Sequence, residues 1–191
     1  TPGRLVQPVG MASFDAWIKY YRPDENSANT SISYYSKGAV LAFLLDAKMR
    51  RATGGARTLD EVMRAAYDRY SGRRGYSPEE FRALVEEVAG PSESLRSWFA
   101  GGVESAAELD YGEALDWFGL RFRDGANAPP RAWLGAGTRN DEGRLVVTQV
   151  RRGGPAEAAG LNVDDELLAI DEFRVRAGQL DTRLAQYQPG T

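Results

Sequence analysis

Apolar positions recur at helical spacing up to about residue 120 and then give way to short strand-like runs. "FDAWIKYY", Phe14 to Tyr21, spaces aromatic and aliphatic residues three and four apart behind Ser13, so it reads as a helix with a serine N-cap. "RPDENSANTS" follows as a loop of proline, acids, asparagines and serines, residues that bond their own backbone. "AVLAFLLDAKM", Ala39 to Met49, is apolar on nearly every side and predicts a central buried helix. Thr58 and Glu61 have the capping-box spacing ahead of "EVMRAAYDRY". Ser77, Pro78 and Glu80 combine a serine cap, a proline at the first helical position and the returning glutamate, and the helix they open should stop at Gly90. Ser92 to Ala100 predicts a short helix ending at Gly101 and Gly102, and Asp110 caps "YGEALDWF" up to Gly119. Helices joined by such short links make a bundle-like domain.

Beyond Gly119 the pattern changes. "DGANAPPR", Asp124 to Arg131, is a linker of glycine, asparagine and proline. "RLVVTQV", Arg144 to Val150, is rich in β-branched residues and predicts a strand. "GPAEAAG", Gly154 to Gly160, predicts a short helix closed by glycine. "DELLAIDEFRV", Asp165 to Val175, predicts two short strands about an acidic turn. "GQLDTRLAQYQPG" predicts a helix stopped by Pro189. The fold class is therefore α+β: an all-α, bundle-like domain over residues 1–123, then a small mixed domain over 124–191.

Composition narrows the chemistry. The chain has 191 residues, 42% hydrophobic and 27% charged, which is ordinary for a globular protein. A net charge of −3 supplies no global basic field for nucleic acid. No apolar run approaches the ~18 residues of a membrane span. Cysteine and histidine are both absent, which removes disulfides, thiolate ligands, imidazole ligands and imidazole acid–base catalysis. Neither absence fixes a compartment, because chains without cysteine occur in both reducing and oxidising places. In "SYYSKG", Ser33 to Gly38, two phenols and a lysine stand before a long apolar helix. From the residues alone, Tyr35 is either a tyrosine satisfied locally at a helix start or part of an active site. Lys37 either meets a loop carboxylate or stays solvated. Asp24, Glu25 and Asn26 either form a polar loop or line a cleft.

From Ala132 onward the chain resembles a bacterial PDZ domain. "WLGAG", Trp133 to Gly137, resembles the carboxylate-binding loop, and "RLVVTQVRRGGPAEAAGLNVDDELLAIDEFRV" resembles the strand, G-P-A-x-x-A-G-L helix and G-D-x-I/L strand of that family. Asp164 stands where the family usually has glycine. The resemblance implies that the backbone N–H groups near Leu134, Gly135 and Ala136 receive a peptide carboxylate, with the peptide added as an extended strand. It also implies a final strand that the chain lacks. The open edge so left predicts dimer contacts or local disorder there.

The first half resembles the segment that follows the zinc site in glycyl aminopeptidase-like metallopeptidases, gluzincins with a PDZ domain after the catalytic region. "SFDAWIKYYRPDEN" and "SYYSKG" carry the likeness most specifically, and "RTLDEVMRAAYDRY" fits too. In gluzincin aminopeptidases a Tyr-x-Lys-Gly tyrosine hydrogen-bonds the oxyanion formed on the substrate carbonyl. The match assigns that place to Tyr35, a neutral donor at a helix start that stabilises developing charge. Tyr34, one position away, is expected to point elsewhere and pack. The resemblance places the H-E-x-x-H helix and its glutamate ligand before Thr1. Residues 1–191 are thus expected to be a C-terminal piece of a zinc aminopeptidase that completes its cleft. Alone they should hold no metal and hydrolyse nothing. Peptide substrates and C-terminal peptides are the implied partners, with no nucleic acid or membrane. The competing reading is a non-enzymatic PDZ module on a helical scaffold; an assembly segment is a third.

Overall fold

The computed structural model describes residues 1–123 and 130–190. The expected linker at Asp124 to Arg131 lies largely outside the described residues. A 3₁₀ turn at Pro2–Leu5 leads into α1, Val9–Phe14. Pro8, with φ −61°, is the N-cap of α1, so the helix opens before Ser13 and closes at Asp15. The expected helix over Phe14 to Tyr21 is therefore displaced. Residues 15–21 are successive turns, held by Lys19 N donating to Asp15 O at 2.9 Å and Tyr21 N to Ala16 O at 3.0 Å. Phe14, Trp17 and Ile18 are exposed, so no intramolecular burial repays the backbone entropy of continuing the helix.

After α2, Ser27–Thr30, comes α3, Tyr34–Ala52. α3 buries Leu41, Leu44, Leu45, Ala47 and Met49 but exposes Ala39, Ala42 and Phe43. It is a central helix with one open face, which corrects the all-round burial read from its composition. α4, Leu59–Tyr70, and α5, Pro78–Ala89, both open on full capping boxes at Thr58 and Ser77. α6 is Glu93–Gly102 and runs through both glycines; α7 is Gly112–Phe118 and ends at Gly119 in the left-handed conformation (φ 64°). Leu45 and Met49 of α3, Val62 and Ala66 of α4, Leu84 and Val85 of α5, and Leu95 and Phe99 of α6 form one continuous core. Asp46 joins two of these helices. Its carboxylate accepts from Arg50 Nε at 2.7 Å and from the Leu59 amide at 2.8 Å, so it caps α4 from within α3.

In the second half β1, Ala136–Asp141, pairs antiparallel with β2, Arg144–Val150, through a register shift between Gly137 and Thr138. α8, Pro155–Ala158, follows; then β3, Ala169–Ile170, pairs with β4, Phe173–Arg174, about the acidic turn at Asp171. α9, Leu180–Leu184, is shorter than expected and ends before Pro189. Asp164 adopts φ 70°, so the aspartate takes up the left-handed geometry that glycine would hold there. The architecture is α+β: helical bundle first, small two-ribbon domain after it.

Candidate functional site

The approach to α3 is fixed before the tyrosines begin. Gly3 lies against Ser31 so closely that a Cβ would come 2.2 Å from the Ser31 carbonyl oxygen. The buried Gln7 accepts from the Ile32 amide at 3.1 Å. Ser33 then caps α3, its Oγ accepting from Ser36 N at 3.2 Å. Side chains in a first helical turn lean back towards the N-terminus. Tyr34 and Tyr35 accordingly reach back to the turns at 15–21, where Tyr20 and Tyr21 meet them.

The result is a cluster of four phenols. Tyr21 Oη lies 3.0 Å from Tyr35 Oη and 3.2 Å from Tyr34 Oη. The Tyr34 and Tyr35 rings are 4.3 Å apart, Tyr20 packs edge-on to Tyr34 at 5.3 Å, and Ser33 Oγ donates to Tyr20 Oη at 3.4 Å. Tyr34 therefore does not point away from Tyr35, as the one-residue offset predicted. Both hydroxyls converge on Tyr21, because the backward lean of the first turn outweighs the angular offset along the helix. Tyr35 is 59% exposed, so its hydroxyl is not sealed in the interior. Hydrogen bonds from Tyr21 and then Tyr34 lower the Tyr35 pKa below the ordinary tyrosine value, whereas bonding to Tyr21 and then Tyr35 raises Tyr34 above it. For Tyr21 the Tyr34 bond pulls downward, but the Tyr35 bond and desolvation leave a net rise.

Lys37 is not a solvated surface lysine, and it feels the loop carboxylate of Glu108 without a hydrogen bond to it. Its Nζ is covered from solvent and has no hydrogen-bond partner among the described residues. Desolvation pulls its pKa down, and Glu108 pulls the other way, but that carboxylate is engaged by Arg4 Nε at 3.0 and 3.1 Å. Asp24 is a loop residue in the plain sense: its carboxylate accepts from Asn26 N at 3.0 Å and Ser27 Oγ at 2.7 Å. Glu25 and Asn26 line a cleft that Val150 and Glu157 face from the second half.

Sequence reasoning missed Asn29. It is 5% exposed, donates from Nδ2 to Val150 O at 2.7 Å, and accepts at Oδ1 from the Arg152 amide at 2.9 Å. One side chain thus pins the tyrosine-bearing loops to the exit of β2. No local pattern marks this role, since the two partners across the joint, Val150 and Arg152, lie more than a hundred residues away.

At the start of the second domain, Gly135 has φ 79°, and a Cβ there would meet Pro155 Cδ at 2.9 Å. Leu134 O accepts from Ala156 N at 2.9 Å and Gly135 O from Arg151 N at 2.8 Å. Both carbonyls face the body of the domain, and among the described residues neither the Leu134 nor the Gly135 amide donates. Ala136 already belongs to the ladder, opposite Val150. The Arg151 guanidinium lies over the exposed Trp133 ring, 5.8 Å from its centre. Among the described residues no group of three or more acidic side chains is placed to hold a metal ion, and the chain has neither histidine nor cysteine.

No curated protein sequence matches the chain. The crystal structure of an aminopeptidase N family protein from Idiomarina loihiensis is similar, with a TM-score of 0.83 and 27% identity, over 99% of this chain. The chain spans 34% of that protein. The PDZ domain model matches residues 114–186, beginning inside α7, and the M61 glycyl aminopeptidase model matches residues 1–41. The chain is thus similar, in this order, to a segment of the M61 glycyl aminopeptidase family and to a PDZ domain.

Proposed function

We propose that this chain completes the cleft of an aminopeptidase-type peptide hydrolase, with Tyr35 donating a hydrogen bond to the substrate carbonyl oxygen as that oxygen gains negative charge. The observation that carries the reading is the open Tyr35 hydroxyl at the start of α3, with Tyr21 Oη 3.0 Å behind it. A phenol in this position needs no reorganisation when charge develops, and the positive end of the α3 dipole favours that charge. A zinc centre of the kind the resemblance implies would be contributed by residues outside this chain. The boundary between the helical domain and the PDZ domain is placed at residues 123 and 124.

Tyr35→Phe in the whole natural protein is expected to lower kcat on an aminoacyl amide by about 10²–10³-fold with zinc content unchanged. Wild-type turnover in that variant removes Tyr35 from the mechanism.

A second reading is peptide capture without catalysis, favoured by the inward-turned carbonyls of Leu134 and Gly135. They leave amides and a glycine-lined approach for a terminal carboxylate. Calorimetric titration with a peptide bearing a free C-terminus and with its amidated twin tests it. Equal binding of the two excludes carboxylate recognition.

A further inference from the structure

Three phenols share two hydroxyl contacts at the mouth of α3, and each brings one hydrogen. With Tyr21 in the middle, the spare hydrogen ends on Tyr34, Tyr21 or Tyr35, depending on which way the bonds run. The surroundings decide between them. The Tyr34 ring is packed between Tyr20 at 5.3 Å and Tyr35 at 4.3 Å and is half-buried, so of the two ends of the chain Tyr35 is the more open to an incoming group. Tyr35 is open on the outer side. Bonds running from Tyr34 to Tyr21 and from Tyr21 to Tyr35 satisfy every hydroxyl within the cluster and leave the spare hydrogen on the exposed phenol.

Tyr21 is itself held from two sides. Its backbone N–H donates to Ala16 O at 3.0 Å, and its ring lies 5.1 Å from Trp17 and 5.2 Å from Tyr20. Tyr20 is tied in turn to Ser33 Oγ, the atom that caps α3. The turn and the helix start therefore share one fixed point, and the Tyr21–Tyr35 contact cannot drift independently of the cap.

We propose that Tyr21 is a positioning residue for Tyr35, and that Tyr34 and Tyr21 form a one-way hydrogen-bond relay that aims the Tyr35 hydrogen at substrate and strengthens it as a donor. The proposal rests on the oxyanion reading of Tyr35. A phenol that accepts a hydrogen bond is a better donor in its turn, because the two bonds polarise each other. The directions of the pKa displacements agree: the terminal donor Tyr34 holds its proton more tightly and the terminal acceptor Tyr35 less. The groups facing Tyr35 are the phenols of Tyr20, Tyr21 and Tyr34.

Two measurements test it. On the 191-residue chain, tyrosine labelled with ¹³C at Cζ and assigned with single Tyr→Phe variants gives each phenol's titration directly. Wild type should show Tyr35 ionising before Tyr34. Tyr21→Phe should move Tyr35 up and Tyr34 down, towards the ordinary value near 10. A Tyr35 titration unmoved by Tyr21→Phe overturns the relay. On the whole natural protein, Tyr21→Phe should lower kcat by roughly two- to tenfold, with KM unchanged, the worth of one hydrogen bond. If Tyr35→Phe is inert, the oxyanion reading fails whatever the spectra show. If Tyr35→Phe is severe while Tyr21→Phe changes neither kcat nor the titration, the relay alone is wrong.

Discussion

Asn29→Ala is expected to loosen the joint between the two halves of the molecule. The wild-type side chain is 5% exposed and makes three bonds: to Val150 O at 2.7 Å, to Asn26 Oδ1 at 2.9 Å, and from the Arg152 amide at 2.9 Å. Alanine removes all three. Water can replace the bond to Arg152, which is exposed, but reaches the half-buried Val150 carbonyl less well. A net value of about 0.5–1.5 kcal/mol per bond, reduced for that repair, gives a loss of about 1–2 kcal/mol. Urea unfolding followed by circular dichroism measures it, and amide hydrogen exchange at Arg152 reports the joint itself. Asn29→Asp supplies a control with a pH signature. Its carboxylate keeps the acceptor for Arg152 but turns a second oxygen on the Val150 carbonyl, which is repulsive until that oxygen is protonated. Folding raises that carboxyl's pKa, so the variant should be closest to wild type at low pH and lose stability as pH rises through the raised value. A stability for Asn29→Ala within about 0.3 kcal/mol of wild type, with unchanged exchange at Arg152, would refute the reasoning.

The other expectations concern the core, the capping boxes and the peptide loop. Leu84→Ala removes a side chain 1% exposed at the centre of the bundle and should cost about 2–5 kcal/mol in urea unfolding. Glu80 accepts from the Ser77 amide and from Arg74, which together hold its pKa below the ordinary 4.5. Its contribution is therefore fully present above that ordinary value and lost as pH falls through the depressed one. The Tm gap between wild type and Glu80→Gln should be flat from neutrality to about pH 5 and close below about pH 4. Gly135→Ala forces an L-residue to φ 79° and drives Cβ to 2.9 Å from Pro155. A loss of about 1–3 kcal/mol in unfolding and weaker binding of carboxylate-bearing peptides should follow.

What the sequence made legible was local. The Thr58 and Ser77 capping boxes, the Gly90 and Gly119 stops and the β-branched run of β2 each depend on residues a few positions apart, and each stands where the pattern put it. Tyr35 was singled out by its motif. Its neighbours were not, because the Tyr21–Tyr35 contact depends on where residues 15–21 turn. That turn is set by Pro8 starting α1 early and by the exposure of Phe14, Trp17 and Ile18, which no surface of the described residues buries. Periodicity placed a helix there because it registers spacing, not whether a surface exists to bury the stripe. Asn29 was invisible for a related reason: an asparagine in a polar loop looks the same whether its amide faces water or a strand 121 residues away.

The covered Lys37 ammonium has an unusual setting in a chain without imidazole or thiol. Such a molecule has almost no buffering capacity between about pH 5 and 8, since no side chain ordinarily changes charge there. Lys37 and Tyr35 are the groups drawn down towards that quiet interval from above. Replacing either group, by Lys37→Met or Tyr35→Phe, should therefore alter the alkaline limb of the chain's back-titration.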